Sequence, residues 1–386
     1  WPDADDHSSE GWELVVNVPL LDLMAQYVTI KDEVLPAVTG VIESQQFIMG
    51  PAVAQLEVAL ARLCGARHGI GCASGTDALL LPLKTLGLRP GDEVITTAFT
   101  FFASGGTIHN AGGTPVFVDI EPDTLNIDPA AVEAAVTPRT RALLPVHLYG
   151  QMAKVERLLE IAAKRGVPLI EDACQAIGAR RQVAGAWRMA GELGWVGAYS
   201  FFPSKNLGGW GDGGMIVTSD GATAERLRKL RLHGGAKQYH HDEVGTNSRL
   251  DTLQAAVLLA KLPHLAAWSA KRREHAAYYT QALAGLPAVR PLVVAAGNEH
   301  IFHQYTVRVE RRDELQAHLK AKGIGHAVYY PVPLHRQPCF ASLGYREGSL
   351  PVTERAAREV ISLPIYPELT RAQLDAVVAA IREFYR

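Results

Sequence analysis

The chain predicts an α/β fold, a mostly parallel sheet covered by helices, followed by a smaller C-terminal α+β domain. Three features predict it. Short, almost wholly apolar runs such as TPVFVDI (114–120), RALLPVHL (141–148) and VPLIEDA (167–173) recur in the first half, and strands of that kind are buried on both faces. Amphipathic helical stretches fall between them, the traffic of βαβ units. A long helical stretch beginning at 252 then leads into a segment of different rhythm. The expected organisation is a mobile N-terminus (1–12), a large domain (13–255) and a small one (256–386).

In order, AVAQLEVALARLC (52–64) places apolar residues three and four apart, an amphipathic helix. HGIGCA (68–73) is a short buried strand. SGTDALLLPLKTLGL (74–88) is the next helix, with Ser74 as N-cap and Pro82 predicting a kink. GDEVITTA (91–98) is a turn and a strand. Helices at 129–136 and 154–165 separate the three apolar runs. GWVGAYSFF (194–202) and GGMIVTS (213–219) are strands with a glycine-rich connection, and TAERLRKLRLH (223–233) is helical. The helix from 252 breaks near Pro263. Beyond it lie a strand near 303–309, a helix near 312–322, a strand near 326–331 and a last helix near 370–385.

Composition removes several function classes. With 38 Lys and Arg against 40 Asp and Glu, the net charge of -2 lacks the basic excess of a non-specific nucleic-acid binder. No apolar stretch reaches the length of a membrane span, and the acidic start WPDADDHSSEGWEL does not read as a secretory signal. Cys64, Cys72, Cys174 and Cys339 are far apart, the usage of a reducing cytoplasm, and no cluster has metal-ligand spacing. A dinucleotide-binding G-x-G-x-x-G after the first strand is missing, which counts against a Rossmann oxidoreductase.

Ligands of open parallel sheets gather at the carboxyl ends of the strands, so the residues that follow each strand carry the functional signal. Ser74-Gly75-Thr76-Asp77 opens a helix whose free amides can hold a phosphate, or is only a capped helix. Phe99, Phe101 and Phe102 offer a face for a flat ring, or are core. Glu171-Asp172 ends an apolar strand, where a carboxylate needs a cation or several donors unless it is a cap. Lys205, within YSFFPSKNLGGWGDGG (199–214), follows an apolar strand. A desolvated lysine there is a Schiff-base nucleophile, against the plainer reading of a snorkelling side chain. Together and in this order they are the inventory that pyridoxal 5'-phosphate requires: helix start for its phosphate, aromatic for its ring, carboxylate for its nitrogen, lysine for its aldehyde.

These residues resemble the DegT/DnrJ/EryC1/StrS family of sugar aminotransferases, of pyridoxal-phosphate fold type I. The resemblance runs from VPLLDL (18–23) to the last helix, through FIMGP (47–51), SGTDAL (74–79), GDEVITTAFTF (91–101), HLYGQ (147–151), EDACQAIGA (171–179), GTNSRLDTLQAAVL (245–258), YYPVPLH (329–335) and SLPIYPELT (362–370). It implies Lys205 as the Schiff-base lysine and Asp172 as partner of the pyridine nitrogen. It implies Gln175 at the ring oxygen, Phe101 stacked on the ring, and Gly75, Thr76 and Ser200 at the phosphate. Asn247 reaches the phosphate of a neighbouring subunit, so a homodimer with a shared site is implied. Thr97 stands where the family usually has proline, and Pro82 interrupts a helix usually uninterrupted; neither touches a chemical role. A dehydratase branch carries His in place of the lysine, so Lys205 favours transamination.

The implied reaction passes an amino group from L-glutamate to a keto sugar nucleotide by a ping-pong route, in the cytoplasm. HLYGQ resembles the branch acting on 3-keto sugars; a 4-keto sugar, a cyclitol, or a non-catalytic regulator that binds the cofactor are the alternatives. His147, Tyr149, Tyr239, His240, His241, Arg249, Tyr330 and His335 are the candidate substrate contacts. His147 and Tyr149 could equally be packing residues and Arg249 a structural ion pair.

Overall fold

A computed structural model describes residues 17–235, 237 and 239–386. The expectation of a mobile segment at 1–12 lies outside the described residues. The chain opens with helix α1 (Leu23–Ser44), capped by Asp22, whose side chain accepts from the Ala25 amide (2.9 Å). Then follow α2 (Pro51–Leu63), β1 (His68–Cys72), α3 (Gly75–Thr85), β2 (Glu93–Thr97), α4 (Phe102–Asn110), β3 (Thr114–Val118), α5 (Pro129–Ala135), β4 (Thr140–Leu144), α6 (Val155–Arg165) and β5 (Ile170–Asp172). A hairpin of β6 (Arg180–Val183) and β7 (Ala186–Met189) precedes β8 (Val196–Ser200), β9 (Gly214–Thr218) and α7 (Gly221–Leu230). Next come α8 (Thr252–Lys261) and α9 (Leu265–Ala282), parted by one turn of 3-10 helix at Pro263.

The last part holds β10 (Val289–Pro291), β11 (Asn298–Glu299), β12 (Tyr305–Val309), α10 (Arg312–Ala321), α11 (Pro351–Glu359), β13 (Val360–Leu363) and α12 (Arg371–Phe384). α12 begins with a full capping box between Thr370 and Gln373, which satisfies amides that the first turn would leave unpaired.

The central sheet runs β3-β2-β4 and β5-β8-β9-β1, joined where Leu143 and Val146 bridge in parallel to Leu169 and Asp172. All its neighbouring pairs are parallel except those made by β9, which runs opposite to both β8 and β1. Its strands show why their sequences are apolar throughout. Alternate residues face two separate cores: Ile95, Leu143, Met215 and Val217 enter one, while Val94, Ala142, Leu144 and Ile216 enter the other. A third core gathers Val18, Ala276, Tyr279, Val307, Leu315, Ile361 and Val377 around the sheet β10-β12-β13. The expected divide at 255/256 falls inside α8, whose Ala255 and Leu258 belong to the first core. Leu265 of α9 belongs to that same core, and the third core begins at Ala276, further along the helix.

Four expectations are corrected or extended. α3 continues through Pro82 to Thr85, with the Thr85 hydroxyl bonded to the Pro82 carbonyl (2.6 Å). α4 was not expected, because FASGGTIHN holds two glycines and β-branched residues of low helix propensity. The hairpin β6–β7 is short and turns through Ala184 and Gly185, both at positive φ, as a two-residue turn demands. The strand expected near 326–331 is absent; only Ala327 bridges to Ser362, since Pro331 has no amide to give, and β13 takes the place beside β12.

Leu143, on β4, is buried in the first core at 1% exposure. Leu143→Ala is expected to lower the unfolding free energy by about 2–5 kcal/mol, read as a lower urea midpoint with an unchanged slope.

Candidate active site

Strand register brings the site residues to one rim of the sheet. Cys72 at the end of β1 pairs with Gly214, Gly214 with Ser200 at the end of β8, and Ala198 with Asp172 at the end of β5. The chain segments leaving β1, β5 and β8 therefore start side by side, and the segment after β8 carries Lys205.

At the start of α3, Ser74 Oγ accepts from the Asp77 amide (3.1 Å), leaving the Gly75 and Thr76 amides without a partner from an earlier helical turn. Gly75 has to be glycine: a Cβ there would stand 2.5 Å from Ser200 Cβ. The Ser200 hydroxyl, which accepts from the Phe202 amide (3.3 Å), is thereby held against this helix start. Ser248 docks on the same corner. Its hydroxyl donates to Asp77 Oδ2 (2.7 Å) and accepts from the Ala73 amide (3.2 Å). That leaves its neighbour Asn247 exposed at the edge of the same corner.

Asp172 is buried at 4% exposure. Its Oδ2 accepts from Ser104 Oγ (2.7 Å) and its Oδ1 from the Cys174 amide (3.2 Å). The adjacent Glu171 has no exposed surface. It meets His147 Nε2 (2.8 Å) and accepts from the amides of Gly191 (2.9 Å), Leu193 (2.8 Å) and Gly194 (2.5 Å). Gln175 Oε1 accepts from the Tyr149 amide (2.8 Å) and its Nε2 donates to the Tyr330 hydroxyl (2.9 Å). The Tyr330 ring lies 6.4 Å from that of Phe101, which is 58% exposed, whereas Phe99 is wholly core.

Lys205 is half-buried on a turn, its amide donating to the Phe202 carbonyl (2.8 Å). Burial pushes its amine below the ordinary lysine value, while Cys174 and Asp172 pull the other way. Its loop is braced at several points. Lys261 Nζ donates to the Gly208 carbonyl (2.9 Å), and Asn206 reaches the Ile301 carbonyl (3.3 Å) and His303 (3.0 Å). Burial first, and the nearby Lys205 charge second, keep the His303 imidazole neutral.

Three of the expected substrate contacts are corrected. His147 has no exposed surface and both ring nitrogens are engaged, by Glu171 and by the Ala153 amide (3.2 Å), so it offers nothing to a ligand. Tyr149 is buried, and its hydroxyl is bonded to the Tyr329 carbonyl; it orients Gln175 instead. His335 is buried against Glu354 (3.1 Å) with its imidazole kept neutral by burial. Tyr330 is bonded to Gln175 and faces Phe101. Tyr239 (90% exposed), His240 and His241 lie on an exposed loop, and Arg249 is half-buried next to Ser248. Sequence reasoning missed Ser104, Thr100, Ser248 and Lys261. The signal for Ser104 was its place just after the aromatic run that ends β2.

Among the described residues, no helix is long and apolar enough to cross a membrane, and no group of three or more His, Cys, Asp or Glu could hold a metal.

The sheet, with the half-buried lysine at its rim, is an aminotransferase scaffold of fold type I. The chain belongs to the DegT/DnrJ/EryC1/StrS aminotransferase family, which matches residues 28–382. A protein of Geobacillus stearothermophilus named pleiotropic regulatory protein is 54% identical over 375 residues, 96% of this chain and 99% of that one. A UDP-N-acetyl-3-dehydro-alpha-D-glucosamine 3-aminotransferase of Acidithiobacillus ferrooxidans is 45% identical over 365 residues, 95% and 97% of the two chains. Among solved structures, DesV of S. venezuelae in complex with a ketimine intermediate is similar with a TM-score of 0.93 at 47% identity, covering 96% of this chain and 99% of that one.

Two outcomes are expected. Glu171→Ala strands His147 and three amides, one of them fully buried, and should cost about 3–5 kcal/mol of stability, measured by urea unfolding. Burial penalises the ammonium form of Lys205, so its neutral amine forms at lower pH than that of an exposed lysine. In the cofactor-free protein its acylation rate should rise with a midpoint below the usual lysine value of about 10.4, read by mass spectrometry of labelled peptides.

Proposed function

We propose that this chain is a pyridoxal 5'-phosphate-dependent aminotransferase that moves an amino group from L-glutamate to a keto sugar nucleotide, with the keto group at C3. The observation that carries it is the buried Asp172 carboxylate, clamped at both oxygens, with the Lys205 amine near enough to respond to its charge. The surrounding residues fit the cofactor. The Gly75 and Thr76 amides with Ser200 suit a phosphate, and the gap that only glycine leaves at position 75 lets Ser200 close on it. The exposed Phe101 ring suits a flat heterocycle, and Gln175 suits a ring oxygen with its second amide hydrogen.

When bound, pyridoxal 5'-phosphate supplies an aldehyde that condenses with amines and a ring that accepts electrons. The chain's own residues do the rest. Lys205 Nζ would be the nucleophile towards that aldehyde, and as a free neutral amine it would serve as base and then acid for the donor's α-proton. Asp172 would accept a hydrogen bond from the protonated ring nitrogen and so favour its cationic form. Ping-pong kinetics follow from two half-reactions sharing one lysine.

The 3-keto assignment is supported by HLYGQ and by the 3-dehydro substrate in the name of the Acidithiobacillus relative. A shared homodimeric site is supported by exposed Asn247 beside the phosphate corner and by exposed apolar residues on and after α1, including Met24, Val28, Ile42 and Ile48. Four free cysteines support a cytoplasmic setting. The Geobacillus relative's name favours a second reading, a regulator that binds the same cofactor without turnover.

Adding L-glutamate to the cofactor-loaded protein should shift the visible absorbance band to the near ultraviolet and release 2-oxoglutarate; a regulator shows no shift. Lys205→Ala should lower turnover by about 10²–10⁴-fold or more. In a panel of keto sugar nucleotides, the 3-keto compounds should give the highest kcat/KM. Preference for 4-keto compounds removes that assignment and leaves the rest standing.

A further inference from the structure

Ser104 sits in the first turn of α4 at 1% exposure, and its hydroxyl reaches across the sheet to Asp172 Oδ2 (2.7 Å). A serine or threonine within a helix can turn its hydroxyl back to a carbonyl of the preceding turn. Its neighbour Thr107 does so, donating to the Ala103 carbonyl (2.7 Å). Ser104 instead spends its one proton on the carboxylate. Its Oγ is also 3.0 Å from Thr100 Oγ1, which is 2% exposed. Because the Ser104 proton is committed, Thr100 is the donor in that second bond. The order is therefore fixed: the Thr100 hydroxyl donates to Ser104, and Ser104 donates to Asp172. Each bond polarises the next among side chains that are all buried. The Cys174 amide holds the other oxygen (3.2 Å), so the carboxylate cannot rotate without losing a donor.

We propose that Ser104, backed by Thr100, is a positioning residue that locks Asp172 in the orientation in which it grips the ring nitrogen of the cofactor. This rests on the pyridoxal-phosphate reading above. Ser104 touches neither cofactor nor substrate; it acts through the carboxylate. A merely structural serine, satisfying a buried acid and nothing more, would affect every ligand of the site alike. A serine acting through the nitrogen would affect only ligands that have one.

The test uses two cofactors on the full-length chain stripped of its own: pyridoxal 5'-phosphate, and its 1-deaza analogue, in which C–H replaces the ring nitrogen. Ser104→Ala should weaken binding of pyridoxal 5'-phosphate about tenfold or more, the range of a hydrogen bond to a charged group, and leave binding of the analogue nearly unchanged. Ser104→Thr, which keeps the hydroxyl, should restore most of the selectivity. Thr100→Val should show a smaller loss with the same preference, and carries the test if Ser104→Ala does not fold. Equal loss for both cofactors, or no loss for either, overturns the proposal. If the unaltered chain binds pyridoxal 5'-phosphate tightly in that case, the proposed function survives. If the unaltered chain binds neither compound, both readings fall together.

Discussion

Strand β5 ends in two carboxylates in the middle of a sheet buried on both faces, and each has to be met by donors there. Successive side chains of a strand point to opposite faces, so the two acids are satisfied by different neighbourhoods. Glu171 turns to the loop of β7–β8, where three amides and His147 close around it. Asp172 turns to α4, where the Ser104 hydroxyl meets one oxygen and the Cys174 amide the other. The first acid ties the loop to the sheet. The second is left buried with unused lone pairs beside an amine, which is where a carboxylate has chemical value.

The parallel sheet makes that value usable. Helix starts, a carboxylate and a lysine come from chain segments far apart in sequence, and register alone brings them to one rim. The supporting contacts are rigid ones: backbone amides, a serine on a helix, a lysine clamped to a loop carbonyl. Gly75 contributes by what it lacks, since any side chain there would drive Ser200 away from the helix start.

The strands of the central sheet, their order of appearance and the residues that leave them were legible in the sequence, because burial on two faces forces continuous apolar runs and a polar residue at such an end stands out. Asp172 and Lys205 were singled out that way. For Tyr149 and His147 the sequence left contact and packing both open, for a reason the same logic explains. A strand end lies next to the site along the chain, yet each side chain still points either into it or away, and a residue name does not say which. His147 points to Glu171, and Tyr149 lends the site only its amide. Ser104 escaped notice because its helix is poor in helix formers, and because a bond spanning 68 residues leaves no local pattern. His335 was among the candidate substrate contacts, and a buried glutamate claims it.

The reversed direction of β9 has a geometric outcome. Ser200 and Gly214 are paired neighbours, so the stretch bearing Lys205 leaves and re-enters the sheet at adjacent points. It is a leash pinned at both ends, further stapled at Asn206 and Gly208. An amine on such a leash, once it lets go of a partner, stays within arm's length and can act again at the same spot. A crossover joining two parallel strands would have tied the stretch to this rim at its start alone, with its other end at the opposite rim.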